Sequence, residues 1–132
     1  MISKSPSGAL SPYYYKGGYF HGIHYGSYFD DMEALRDMMS QEEQFIIRSP
    51  ESRRILIDLY ETNLTEQMLS EFVLHIKAIS PKIIKLAITC DNKRLKTVQK
   101  ALSKASVLNK GQLYFCLDME EAKTWLVSDN YC

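Results

Sequence analysis

Asp58 closes an apolar run, Arg54-Ile55-Leu56-Ile57-Asp58-Leu59-Tyr60, and a carboxylate in such a place must be hydrogen-bonded or shifted in pKa. It is either a structural group tied to loop N–H groups or a group that orients a ligand. Cys90 ends a second apolar run and is followed at once by Asp91-Asn92, a helix-starting pair. A thiol near a helix N-terminus can gain thiolate character and act as a nucleophile. Here Asp91 opposes the thiolate and no histidine lies near in sequence, so an inert, buried Cys90 is expected, and Cys116 reads the same way. His21 and His24 stand three apart on a predicted strand, which sends them to opposite faces and argues against a metal pair. His75 lies beside the apolar stripe of a predicted helix and reads as structural. The GxGxxG, P-loop, GxSxG and HExxH patterns are absent, so the enzyme classes they mark lack their signatures. No catalytic residue, metal or cofactor is expected.

The elements that must position these residues follow from periodicity. Residues 1–12, rich in Ser, Pro and Gly, are expected to be poorly ordered. Tyr13-Tyr14-Tyr15-Lys16 and Tyr19 to Tyr25 flank Gly17-Gly18, a hairpin signal. Asp30-Asp31 open a helix on which Met32, Leu35 and Met39 keep helical spacing; it fades between Gln41 and Arg48, with Phe45-Ile46-Ile47 either its last turn or an extended piece. After the strand ending in Tyr60, Asn63 and Glu66 resemble a capping box, and Leu64, Met68, Phe72, Ile76 and Ile79 draw one helical stripe up to Pro81. Ile83 to Cys90 is a strand; Asp91-Asn92 cap a helix with Leu95, Val98, Leu102 and Ala105 inward. Gln112 to Cys116 is the last strand, and Asp118 caps a helix using Met119, Ala122, Trp125 and Leu126. The order ββαβαβαβα predicts an α/β fold: an open, mostly parallel sheet with an antiparallel N-terminal edge and helices on both faces, one domain over 13–132.

Three segments carry a family resemblance. Ile55-Leu56-Ile57-Asp58-Leu59 is a strand ending in Asp-Leu, Lys85-Leu86-Ala87-Ile88 is the next strand, and Tyr114 to Leu126 joins a strand to Glu120-Glu121-Ala122 and Trp125-Leu126. From about Gly18 to Ser128 the chain resembles the STAS-like family, a STAS or lipid-transfer-type fold related to anti-sigma-factor antagonists. In the regulatory branch of that family a serine after the Asp-Leu strand, within Asp-Ser-Ser-Gly, is phosphorylated. This chain has Asp58-Leu59-Tyr60-Glu61-Thr62-Asn63-Leu64-Thr65-Glu66 there, so the resemblance implies the fold and a binding role but no phosphoserine.

The charge balance is neutral, with 16 basic and 16 acidic residues, which removes the global-charge argument for nucleic acid or a membrane surface. It is unevenly placed. Lys77 to Lys110 holds nine basic residues against Asp91 alone, a surplus of eight, which the remaining residues offset. These are solvated helix faces or a patch for an acidic partner. No apolar stretch reaches membrane-span length, and three cysteines with no CxxC suggest a reduced cytoplasm.

In an open α/β sheet, ligands sit beyond the carboxyl ends of the strands, near helix N-termini. The site is therefore expected on Asp58, Tyr60, Glu61, Thr62, Asn63 and Thr65, with Asp91, Asn92 and Lys93 across a groove. The leading expectation is a cytoplasmic, bacterial-type regulatory or binding module without catalysis, acting through a protein partner or small ligand. A homodimer, if formed, would use the aromatic hairpin. The alternative is a carrier of a small apolar or lipid-like molecule, and a cysteine-dependent enzyme using Cys90 stands third.

Overall fold

The computed structural model describes residues 3–4, 10–11, 13–25, 31–60, 62 and 65–128. Glu61 and Asn63 of the expected site, and Leu64 of the expected helix stripe, lie outside the described residues. Near the N-terminus, β1 (Ser3–Lys4) and β2 (Leu10–Ser11) form a small antiparallel pair. The main sheet begins with β3 (Tyr13–Tyr15) and β4 (Gly18–His24). Their two-residue turn is Lys16-Gly17, with φ of 45° and 87°, and Gly18 already pairs with Tyr15. A tight hairpin needs positive φ at both turn positions, so the turn falls one residue earlier than the Gly-Gly pair suggests and Lys16 bears the strain.

Helix α1 (Met32–Arg48) starts at Asp31, whose side chain accepts from the Ala34 N–H at 2.9 Å. It runs through Phe45-Ile46-Ile47, which settles the last-turn alternative. Its inward residues are Leu35, Met39, Glu42 and Ile46, so the stripe continues unbroken but with a carboxylate in it. Strand β5 (Arg53–Asp58) leads to α2 (Glu66–Ile79), capped by Thr65 Oγ1 on the Met68 N–H at 3.1 Å. Then follow β6 (Ile83–Thr89), α3 (Asn92–Ala105) capped by Asp91, β7 (Leu113–Cys116), and α4 (Met119–Val127) capped by Asp118.

The sheet order is β3-β4-β5-β6-β7, with β4 to β7 parallel and β3 antiparallel at the edge. Because strand order follows chain order, right-handed crossovers carry α1, α2 and α3 to one face. There Ile23, Ile55, Ile57, Leu86 and Ile88 meet Leu35, Met68, Phe72, Val98 and their neighbours. Helix α4 follows the last strand and covers the other face, where Phe20, Leu56, Ala87 and Cys116 meet Ala122, Leu126 and Val127. Helices thus lie on both faces, three against one. Among the described residues, the nine-residue α4 leaves the β3–β4 side of its face partly open. Among the described residues, no helix is long and apolar enough to cross a membrane.

Candidate functional site

Side chains alternate along a strand, so the face covered by α4 receives Phe20, Gly22 and His24 from β4, Leu56 and Asp58 from β5, Ala87 and Thr89 from β6, and Cys116 from β7. Pairing places His24 opposite Asp58, Asp58 opposite Thr89, and Thr89 opposite Cys116. A row of polar and sulfur side chains therefore crosses four strands at their carboxyl ends. Asp58 is its hub. Oδ1 accepts from the Thr89 hydroxyl at 3.0 Å and from the Tyr60 N–H at 3.1 Å. Oδ2 lies 2.8 Å from His24 Nδ1. A carboxylate only accepts, so Nδ1 carries a proton, and in the neutral ring Nε2 on the far side presents its lone pair. Asp58 is buried, whereas the His24 side chain is 52% exposed. Among the described residues, Nε2 has no hydrogen-bond partner.

The other expected site residues divide by their use. The Tyr60 hydroxyl donates to the Leu117 carbonyl at 2.7 Å. That bond reaches from the end of β5 past β6 to the loop after β7. It lies over the crevice where the chain leaves β6 toward one face and β7 toward the other, the place an open sheet usually offers a ligand. Loss of hydration, then the nearby Cys90, Asp58 and Asp91, hold the Tyr60 phenol above its ordinary pKa. Thr62 is buried; Arg94 donates to its carbonyl, and its hydroxyl has no partner among the described residues. Thr65 and Asp91 are occupied as helix caps, and Asp91 also pairs with Arg94 at 3.1 Å. Asn92 and Lys93 are exposed on the first turn of α3. Asp58, Tyr60, Thr62 and Asp91 thus gather at one edge, linked by Thr89 and Arg94.

Cys90 is fully buried on the opposite face, and burial first, then the Asp91 carboxylate, push its thiol up to about 11. Cys116 is also raised, chiefly by burial, and its thiol donates to the Asp118 carbonyl at 3.3 Å. Each pKa unit removes about tenfold of thiolate, so folded Cys90 should react with a thiol reagent at neutral pH at least about a hundredfold more slowly than in the unfolded chain. Mass-spectrometric labelling measures this; rapid labelling of Cys90 alone would restore a nucleophilic role. Folding favours the thiol, so this contribution to stability is fully present below the unfolded pKa, near 8.5, and is lost as pH rises through about 11. The stability difference between wild type and Cys90→Ala should change over that window and stay flat below it.

The open part of the α4 face forms a groove of about 250 Å³. Its lining includes Tyr13, Phe20, Gly22, Leu56 and Met119, with His24, Asp58 and Lys123 as the polar members. Gly22 has no side chain on this face and pairs with Leu56 on the next strand, and both line the groove. His21, by contrast, points to the other face, where its Nε2 lies 3.5 Å from Glu42 Oε1 inside the core. The two histidines are thus on opposite faces, as their spacing predicts. His75 bridges Glu43 and the Tyr25 hydroxyl, each at 2.9 Å, between helices and sheet. Among the described residues, no cluster of three His, Cys, Asp or Glu side chains could hold a metal.

Sequence reasoning placed Asp58 but not its partners His24 and Thr89, nor Gly22 and Lys123 of the groove. A lone histidine at a strand end carries no signal until its register is known. No protein-family model, curated protein or solved structure matches this chain.

Proposed function

We propose that the chain is a STAS-like, non-catalytic binding module of the cytoplasm, acting through a protein partner or small ligand at the carboxyl-end edge of the sheet. The observation that carries this reading is how the reactive groups at that edge are used. Thr65 and Asp91 are spent on helix N–H groups, Asp58 holds three donors, and Cys90 is a buried thiol raised to about 11. Among the described residues, no thiol or hydroxyl is hydrogen-bonded to His24 Nε2. The pair therefore suits holding a ligand better than activating a side-chain nucleophile. Tyr60, Asn92 and Lys93 give the edge an accessible, mixed surface.

The basic face of α3, with Lys96, Lys100 and Lys104 exposed, is the competing surface for an acidic partner. Two double variants separate them on a partner captured from the source cell. Tyr60→Ala with Asn92→Ala should weaken binding at least about thirtyfold, as loss of an aromatic anchor at an interface does. Lys96→Ala with Lys100→Ala should change it little at physiological salt. The reverse result would assign the surface to α3.

The carrier reading has its own support in the apolar walls of the groove. A second copy of the chain would pair along the β3 edge, where Tyr14 and Tyr19 are 57% and 52% exposed.

A further inference from the structure

We propose that the groove beside α4 binds a small carboxylate with an apolar body, its head held by His24 and Lys123 and its body lying over Gly22 and Leu56. This rests on the reading of the strand-end edge as a ligand site and names the ligand's chemistry.

Three features select that class. The floor and walls are apolar, formed by Phe20, Leu56 and Met119 around the space left at Gly22. Such a surface takes an aliphatic or aromatic body, and 250 Å³ limits it to a small one. The polar lining is Lys123, His24 and the Asp58 carboxylate, whose oxygens are already taken by Thr89, the Tyr60 N–H and His24. Lys123 carries a fixed positive charge, and its pairing with Glu120 is long, 3.5 Å, and with a mostly exposed partner. The His24 ring is held at Nδ1 by Asp58, so Nε2 is the atom left for a ligand.

A head group must satisfy both. An ammonium would be repelled by Lys123, and a hydroxyl gains no charge-assisted bond from it. A carboxylate fits when the ring takes up one proton from solvent on binding: Nε2–H then donates to one oxygen, and the other accepts from the Lys123 ammonium. With the proton on the ring, the imidazolium lies between two carboxylates, that of Asp58 and that of the ligand. No covalent bond forms or breaks beyond this proton.

The test uses the full chain, titrated with four probes by calorimetry and by ring-nitrogen and methyl NMR. Octanoate has both body and head, octanol the body, acetate the head, and octylamine the opposite charge. Octanoate should bind at least about tenfold more tightly than each of the others and shift the His24 ring and Met119 methyl signals, because a charge-assisted bond is worth at least that factor. Lys123→Met keeps the stem and removes the charge, and should lower octanoate affinity about tenfold while leaving octanol unchanged. Gly22→Val fills the floor and should weaken octanoate and octanol alike. Octanol or octylamine binding as tightly as octanoate at these same residues would overturn the carboxylate assignment and leave the site standing. If no probe shifts the groove signals, the assignment fails and so does the small-ligand arm of the site reading. Octanoate shifts unaffected by both Lys123→Met and Gly22→Val would place it elsewhere and overturn the proposal.

Discussion

Glu42→Ala alone should destabilise the fold by about 2–5 kcal/mol, from a buried imidazole left without its neighbouring carboxylate and from the cavity opened under α1. A domain of this size is stable by about 5–15 kcal/mol, so the loss would be a large share of the total. Glu42 and His21 are both wholly buried, with Oε1 and Nε2 3.5 Å apart, and the His21 ring stacks on Phe45 at 5.4 Å between centroids. Truncating Glu42 leaves a buried imidazole without that carboxylate and opens space under the middle of α1. The double variant His21→Phe with Glu42→Leu removes both polar groups and keeps ring and volume. It should recover most of the loss, because two apolar side chains have no desolvation penalty to offset. Urea unfolding measures all three proteins. A single variant losing less than about 1 kcal/mol, or a double variant no better than the single, would mean that the pair does not govern the packing of α1 on β4.

Asp58→Ala should lower stability by about 3 kcal/mol, since it leaves the buried Thr89 hydroxyl and the Tyr60 N–H without their acceptor, at about 1–3 kcal/mol for each such group. Asp58→Asn should behave differently. The amide oxygen can keep the Oδ1 position and serve the same two donors, so stability should fall by about 1 kcal/mol or less. The amide nitrogen then takes the Oδ2 position facing His24. It donates, so Nδ1 must accept, and the ring proton moves to Nε2. Nitrogen NMR of the neutral ring reads this exchange directly. Wild type should carry the proton on Nδ1 and the variant on Nε2, with the groove otherwise unchanged. Equal destabilisation by Asn and Ala would show that Asp58 works through its charge and not its acceptor geometry. An unchanged tautomer would break the link between Asp58 and His24.

Much of the fold was legible because the signals are local. Asp31, Asp91 and Asp118 stand where helix N–H groups need acceptors, and each caps a helix. Ile55, Leu56 and Ile57 are apolar in succession because both faces of β5 are covered. The less legible places have physical causes. The stripe of α1 seemed to fade after Met39 because its next inward residue is a glutamate, which lies 3.5 Å from His21 of β4. The start of α2 resembled a capping box at Asn63, whereas Thr65 performs the capping. Either residue type can serve, and the strand and helix together decide which one sits at the boundary.

The candidate site divides the same way. Alternation and capping, both near-neighbour rules, determined from sequence alone that Asp58 closes a buried strand, that two helices begin at its edge, and that His21 and His24 part to opposite faces. Tertiary structure alone decided that His24, Asp58, Thr89 and Cys116 form one row, because their numbers are separated by whole crossovers and only strand register aligns them. It also decided that three helices share one face while α4 takes the other. Among the described residues, α4 is the one helix on that face, and the groove lined by Gly22 lies beside it.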